Sequence, residues 1–158
     1  MTGPIEPLPE ISPEDLAAIA QSAFVHNRAH SRLGSYLVAA DRRGVTVGLD
    51  WLDDRFGAAG GSRWPHGAFA ALLDHSCALS VVLGLGSADS VAGTVDLRID
   101  YLWHGDERGD LHARGEWVSL SSPGAMACAR STLYHPDRRD RPLAVATSAV
   151  ALAAGTRG

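Results

Sequence analysis

A chain of 158 residues is long enough to bury a sizeable core and is the size of one domain. Its content of 46% hydrophobic and 20% charged residues is typical of a globular protein and argues against disorder. The net charge of −4, with no basic stretch, argues against a nucleic-acid partner.

The N-terminal residues and the two cysteines both bear on where the protein is located. Residues 1–11 are acidic and rich in proline, without the basic and apolar regions of a signal peptide, so we expect a loosely ordered tail before a single domain at 12–154. Cys77 and Cys128 are far apart and lie in apolar segments, which predicts reduced thiols and a cytoplasmic location.

The predicted elements begin with a helix, since Ser12 is a suitable N-cap, Pro13 suits the first helical position and two acids follow. A hairpin follows, then a Gly-rich loop at 53–63, a long helix and four strands. The predicted spans are a helix to about residue 25, strands at 36–40 and 45–51, an apolar helix at 68–83, and strands at 91–103, 110–120, 125–134 and 143–152.

The apolar helix is the central element of the chain. It is small and apolar on nearly every side, which is typical of a buried helix, and its polar interruption is Asp74-His75-Ser76. At roughly 26 Å it is short for a membrane span, and polar groups in mid-span would be costly. An ionised Asp74 in such a helix needs a hydrogen-bond partner, and residues of this kind concentrate at functional sites.

The strand at 91–103 has the strictest alternation in the chain. Val95, Leu97, Ile99 and Tyr101 are expected on one face, and Thr94, Asp96, Arg98 and Asp100 on a solvated face. One buried helix with about six antiparallel strands predicts an α+β protein in which a curved sheet wraps around the helix. Open sheet edges then favour a dimer.

Three segments in this order resemble the hotdog-fold thioesterases of the PaaI-like type, relatives of 4-hydroxybenzoyl-CoA thioesterase. They are HGAFAALLDHS, GTVDLRIDYLW and PLAVATSAVAL, and the resemblance covers residues 33–152. It implies hydrolysis of an acyl-CoA thioester without metal or further cofactor, in a homo-oligomer that is a dimer or a dimer of dimers, with no nucleic-acid or membrane partner. The site is then expected at the dimer interface.

The resemblance also implies roles for individual residues. Asp74 matches the helix acid that acts as general base or nucleophile, and a backbone N–H at the helix start polarises the thioester carbonyl. The turn here is His66-Gly67-Ala68, and Asp74 follows His66 one residue sooner than is usual in the family. Either His66 or Gly67 can therefore supply that N–H.

Substrate-binding residues are expected around this helix and at the turn before the fifth strand. Relatives often carry a Gly followed by a basic residue at that turn, near the CoA phosphates, whereas this chain has Ser121-Ser122-Pro123-Gly124-Ala125. Arg98 and Arg130 are possible substitutes. The expected substrate-binding residues are Trp64, Ala68, Cys77, Ala78, Ser122 and Gly124.

Other functions remain open from the sequence. The altered His-Gly-Ala turn is compatible with a module that binds acyl-CoA or acyl-carrier protein without catalysis. A hotdog dehydratase would need a catalytic His paired with an acid on the central helix, and His66 and Asp74 fit that layout poorly.

Overall fold

The computed structural model describes residues 12–26, 32–41, 43–52, 63–103, 108–121 and 125–154. The predicted tail at 1–11 and most of the Gly-rich loop lie outside these ranges. The elements follow the predicted order. They are helix α1 (Pro13–His26), strands β1 (Tyr36–Asp41) and β2 (Gly44–Leu49), helix α2 (His66–Leu85), and strands β3 (Val91–Tyr101), β4 (Leu111–Leu120), β5 (Met126–Tyr134) and β6 (Ala144–Leu152).

The start of α1 is capped as its sequence predicts. The backbone N–H of Asp15 donates to Ser12 Oγ at 3.1 Å, which satisfies one of the free donors of the first turn. Glu14 and Asp15 place negative charge at this helix end, where the macrodipole favours it.

The six strands form one antiparallel sheet in the order β1-β2-β4-β5-β6-β3. Helix α2 packs against β2, β3, β4, β5 and β6, so the sheet covers it on most sides. The predicted α+β hotdog architecture is confirmed. Although α2 is long and apolar enough to cross a membrane, 72% of its most apolar window is buried inside the protein, as expected for a core helix.

Close packing holds α2 against the middle of the sheet. A Cβ on Gly115 of β4 would overlap the carbonyl oxygen of Ser76, so only glycine permits this approach. Ser76 Oγ and Ser131 Oγ of β5 share a buried hydrogen bond of 2.6 Å. The helix ends at Gly86, which is left-handed with φ 72° and donates its N–H to Leu83 O.

Strand β3 departs from the predicted alternation at Val95. The pairing with β6 shifts register between Thr94 and Asp96, so Val95 is the extra residue of a β-bulge and is 63% exposed. Thr94 is exposed as predicted, but the bulge breaks its alternation with Asp96. The bulge reverses the side on which Thr94 projects, and its hydroxyl reaches α2.

Candidate functional site

One stripe of α2 is left uncovered by the sheet. Its members are exposed or half-buried and recur every three or four positions, which places them on one helix face: Gly67, Ala70, Ala71, Asp74 and Ala78. The other four members are glycine or alanine, so their side chains project little from the helix. Asp74 is the ionisable group of this face. The predicted acid therefore lies where a ligand or a second chain can reach it.

The start of α2 presents backbone donors towards open space. Pro65 precedes it in an extended conformation and makes no side-chain cap, and Ala68 N–H donates to Pro65 O at 2.9 Å. Within the described part of the chain, the N–H groups of His66 and Gly67 have no acceptor. A Cβ on Gly67 would meet nothing within 4 Å. Both predicted candidates for the carbonyl-polarising N–H are available.

Asp74 has the hydrogen-bond partner that its position in the helix requires. Thr94 Oγ1 donates to Asp74 Oδ1 at 2.6 Å. Among the described residues no group donates to Oδ2, so this oxygen is available to a water or a substrate. Sequence reasoning missed this pairing because strict alternation gives Thr94 no partner on α2, and the bulge that brings its hydroxyl to Asp74 has no sequence signal here.

The helix start and Asp74 are far apart within one chain. Asp74 is eight positions after His66, which at 1.5 Å per residue is about 12 Å along the axis. A short Asp side chain covers little of that distance. A carbonyl bound at the helix start therefore lies beyond reach of Asp74 in the same chain.

The imidazole of His66 packs against the end of β3. Its ring lies 4.6 Å from the ring of Tyr101, with 35° between the planes, and 6.0 Å from that of Phe69. This contact ties the start of α2 to the last residue of β3.

The structure changes the interpretation of Trp64. Its indole is 2% exposed, donates Nε1–H to Gly109 O at 2.9 Å and meets Trp51 edge to face at 5.0 Å. Such a ring supports the chain entering α2 and presents no open face, so the predicted role as a pocket wall is not supported.

Two more of the expected substrate-binding residues face the sheet. Ala68 is 4% exposed, and Cys77 is fully buried in a cluster with residues of β5 and β6. Burial, with a smaller contribution from the Asp74 carboxylate, raises the pKa of the Cys77 thiol to about 12. Ala78 lies on the uncovered stripe, whereas Ser122 and Gly124 lie outside the described residues.

Neither Arg98 nor Arg130 lies at the start of α2. Arg98 pairs with Asp100 at 3.1 Å and Arg130 with Glu116 at 2.9 Å, and both guanidinium groups are largely exposed on strand faces. Since each carries a carboxylate partner, neither offers an uncompensated charge to a phosphate.

Comparison with known proteins identifies solved structures that have the same fold. No family model and no curated protein matches the sequence. Solved structures do match: the Escherichia coli PaaI protein from the phenylacetic acid degradation operon has a TM-score of 0.73 at 14% identity, covering 92% of this chain and 99% of that one. A Shewanella oneidensis protein related to the thioesterase superfamily has a TM-score of 0.72 at 22% identity, covering 89% and 96%.

The likeness extends to a vertebrate protein. Zebrafish thioesterase superfamily member 2 has a TM-score of 0.67 at 15% identity, covering 91% of this chain and 100% of that one. This chain therefore shares the fold of these proteins, which is the predicted hotdog fold. The resemblance drawn from residues 33–152 is confirmed for the fold, with PaaI among the matching structures.

Proposed function

We propose that this protein hydrolyses an acyl- or aryl-CoA thioester, with Asp74 as the reacting carboxylate. The observation that carries the proposal is the Asp74–Thr94 hydrogen bond on the single uncovered stripe of an otherwise buried helix. The structural neighbours from the thioesterase superfamily support the same chemistry.

The reaction uses two features of α2. The N–H groups of His66 and Gly67 donate hydrogen bonds to the thioester carbonyl oxygen and stabilise the negative charge that develops on it. Thr94 holds Oδ1 of Asp74, and Oδ2 takes a proton from a water molecule that attacks the carbonyl carbon. The tetrahedral intermediate then collapses, the C–S bond breaks, and the thiolate leaves and is protonated.

Nucleophilic attack by Asp74 is the second form of the same mechanism. Oδ2 then bonds to the carbonyl carbon, the thiolate leaves, and water hydrolyses the mixed anhydride. Single-turnover reaction in ¹⁸O-labelled water identifies hydrolysis of the anhydride at the Asp74 carbonyl carbon, which labels Asp74 and leaves the product acid unlabelled. General-base attack labels the product acid and leaves Asp74 unlabelled.

The reacting groups come from two copies of the chain in this proposal. The separation of about 12 Å along one helix prevents His66 and Asp74 of one chain from acting on the same carbonyl. Antiparallel packing of two α2 stripes about a two-fold axis brings the helix start of each copy towards the Asp74 of the other. The glycine and alanines of the stripe allow the two helices to approach closely.

Thiol release from a panel of acyl- and aryl-CoA thioesters tests the proposal. Asp74→Asn is expected to lower kcat by about 10²- to 10⁴-fold, because the base or nucleophile is lost. Thr94→Val is expected to lower kcat about tenfold through misplacement of the carboxylate, and Thr94→Ser to restore it. Unchanged hydrolysis by Asp74→Asn refutes Asp74 as the reacting carboxylate. Tight binding of thioesters without turnover by the wild type refutes a thioesterase and favours a binding module.

A further inference from the structure

A cavity of about 210 Å³ lies where the end of β3 meets the loop between β5 and β6. Leu102, Trp103 and Pro142 supply its apolar wall. His135, Arg138 and Arg141 supply its polar wall, and no carboxylate belongs to the described lining. Arg138 lies 3.6 Å from the Asp137 carboxylate, so Arg141 is the guanidinium that we consider for an anion. A guanidinium beside an indole suits an anion that carries a flat ring.

The cavity adjoins the start of α2. Tyr101, whose ring lies against His66, is followed directly by Leu102 and Trp103. Their backbone N–H groups both donate to Leu143 O, at 2.9 and 3.0 Å, which fixes this wall to the loop ahead of β6. A ligand bound here and extended along the end of β3 therefore reaches the helix start.

The side chains of Arg141 and Trp103 lie close together in the wall of the cavity. The guanidinium carbon of Arg141 lies 5.8 Å from the centre of the Trp103 ring, which is 48% exposed. Among the described residues no carboxylate pairs with Arg141, so its charge is available to an anion. An exposed indole can stack on a nucleobase, and a guanidinium binds phosphate oxygens in pairs.

His135 contributes a buried polar group to the cavity wall. The side chain is 6% exposed, and its Nδ1 donates to the carbonyl oxygen of Asp110 at 2.8 Å, because a carbonyl oxygen can only accept. Nε2 is buried and has no hydrogen-bond partner within the described structure. The cavity lining therefore contains an unsatisfied polar atom beside the two arginines.

We propose that this cavity binds the phosphorylated nucleoside end of the coenzyme A thioester. Arg141 holds a phosphate, and Trp103 stacks on the base. This inference rests on the proposed function. It assigns nucleotide recognition to the cavity and not to the turn at 121–125, where the family resemblance had placed it. The pantetheine arm then runs past Tyr101 towards the helix start.

Calorimetric titration with adenosine 3′,5′-bisphosphate is the first experiment. Arg141→Gln is expected to weaken binding about 10- to 100-fold, because a charge-assisted contact to phosphate is lost. Arg139→Gln is the matched control: it removes the same charge from the same loop, but its guanidinium lies over the Tyr134 ring, 5.3 Å from its centre, and does not line the cavity. Equal effects of the two variants overturn the proposal.

Kinetics on two thioesters of one acyl group decide whether the nucleotide belongs to the substrate. Arg141→Gln is expected to raise KM about tenfold or more for the CoA thioester and to leave the N-acetylcysteamine thioester, which has no nucleotide, unchanged. Lost bisphosphate binding with an unchanged KM for the CoA thioester shows a separate nucleotide site and overturns the proposal. If the wild type hydrolyses neither thioester, the proposed function fails, and titration with coenzyme A still tests Arg141.

Discussion

The two-copy site can be tested by combining two inactive variants of the chain. Asp74→Asn removes the carboxylate. His66→Pro removes the N–H of the first helical residue, where proline is well tolerated, and the extended ψ of 134° at Pro65 suits a following proline. If His66→Pro retains turnover, Gly67→Pro takes its place.

The expected recovery follows from the helix geometry. Because about 12 Å separates the helix start from Asp74 within a chain, each reaction centre combines one copy's helix start with the other copy's carboxylate. In a mixed dimer one centre then carries both substitutions and the other carries none. Random exchange makes half of the dimers mixed, so about one quarter of wild-type activity returns.

The assay is thiol release after the two variants are denatured together and refolded. Distinct affinity tags confirm by mass spectrometry that mixed dimers have formed. Each variant refolded alone is the control and stays inactive. Mixed dimers without recovered activity refute the argument, since they show that both groups act within one chain.

Three further predictions concern single residues. His66→Ala keeps the backbone N–H and is expected to retain most turnover, whereas His66→Pro is expected to lose about 10²-fold in kcat; equal losses in steady-state kinetics assign the effect to the imidazole instead. With a pKa of about 12, Cys77 stays protonated at pH 8, so peptide mapping after iodoacetamide treatment should show labelling of the exposed Cys128 alone, and labelled Cys77 in the native protein contradicts this. Gly115→Ala forces a Cβ against Ser76 O and is expected to lower the free energy of unfolding by about 1–3 kcal/mol; an unchanged Tm shows that α2 can move away without cost.

Most of the secondary structure follows from local patterns in the sequence. The element order and most bounds agree with expectation to within about two residues, because strand alternation and turn residues are both local signals. The position of Asp74 is recoverable for the same reason. A lone carboxylate in an apolar helix stands out before any tertiary contact is known.

Tertiary contacts decide what the patterns leave open. The bulge at Val95 depends on how β3 pairs with β6, and it alone turns Thr94 towards Asp74. The burial of Trp64 depends on Gly109, which is 45 residues away in the chain. The cavity beside Trp103 brings together the end of β3 and the loop before β6, which no local pattern relates.

The sheet order has a consequence for synthesis of the chain on the ribosome. Strand β3 leaves the ribosome directly after α2, yet the strand it pairs with is β6, the last of the sheet. Strands β4 and β5 can pair in turn, β4 with β2 and β5 with β4. Until β6 is available, both edges of β3 remain unpaired. Since unpaired edges and exposed apolar surface favour aggregation during folding, the nascent chain is most vulnerable until residues 144–152 have emerged. The nine residues of β6 thus close the sheet around α2.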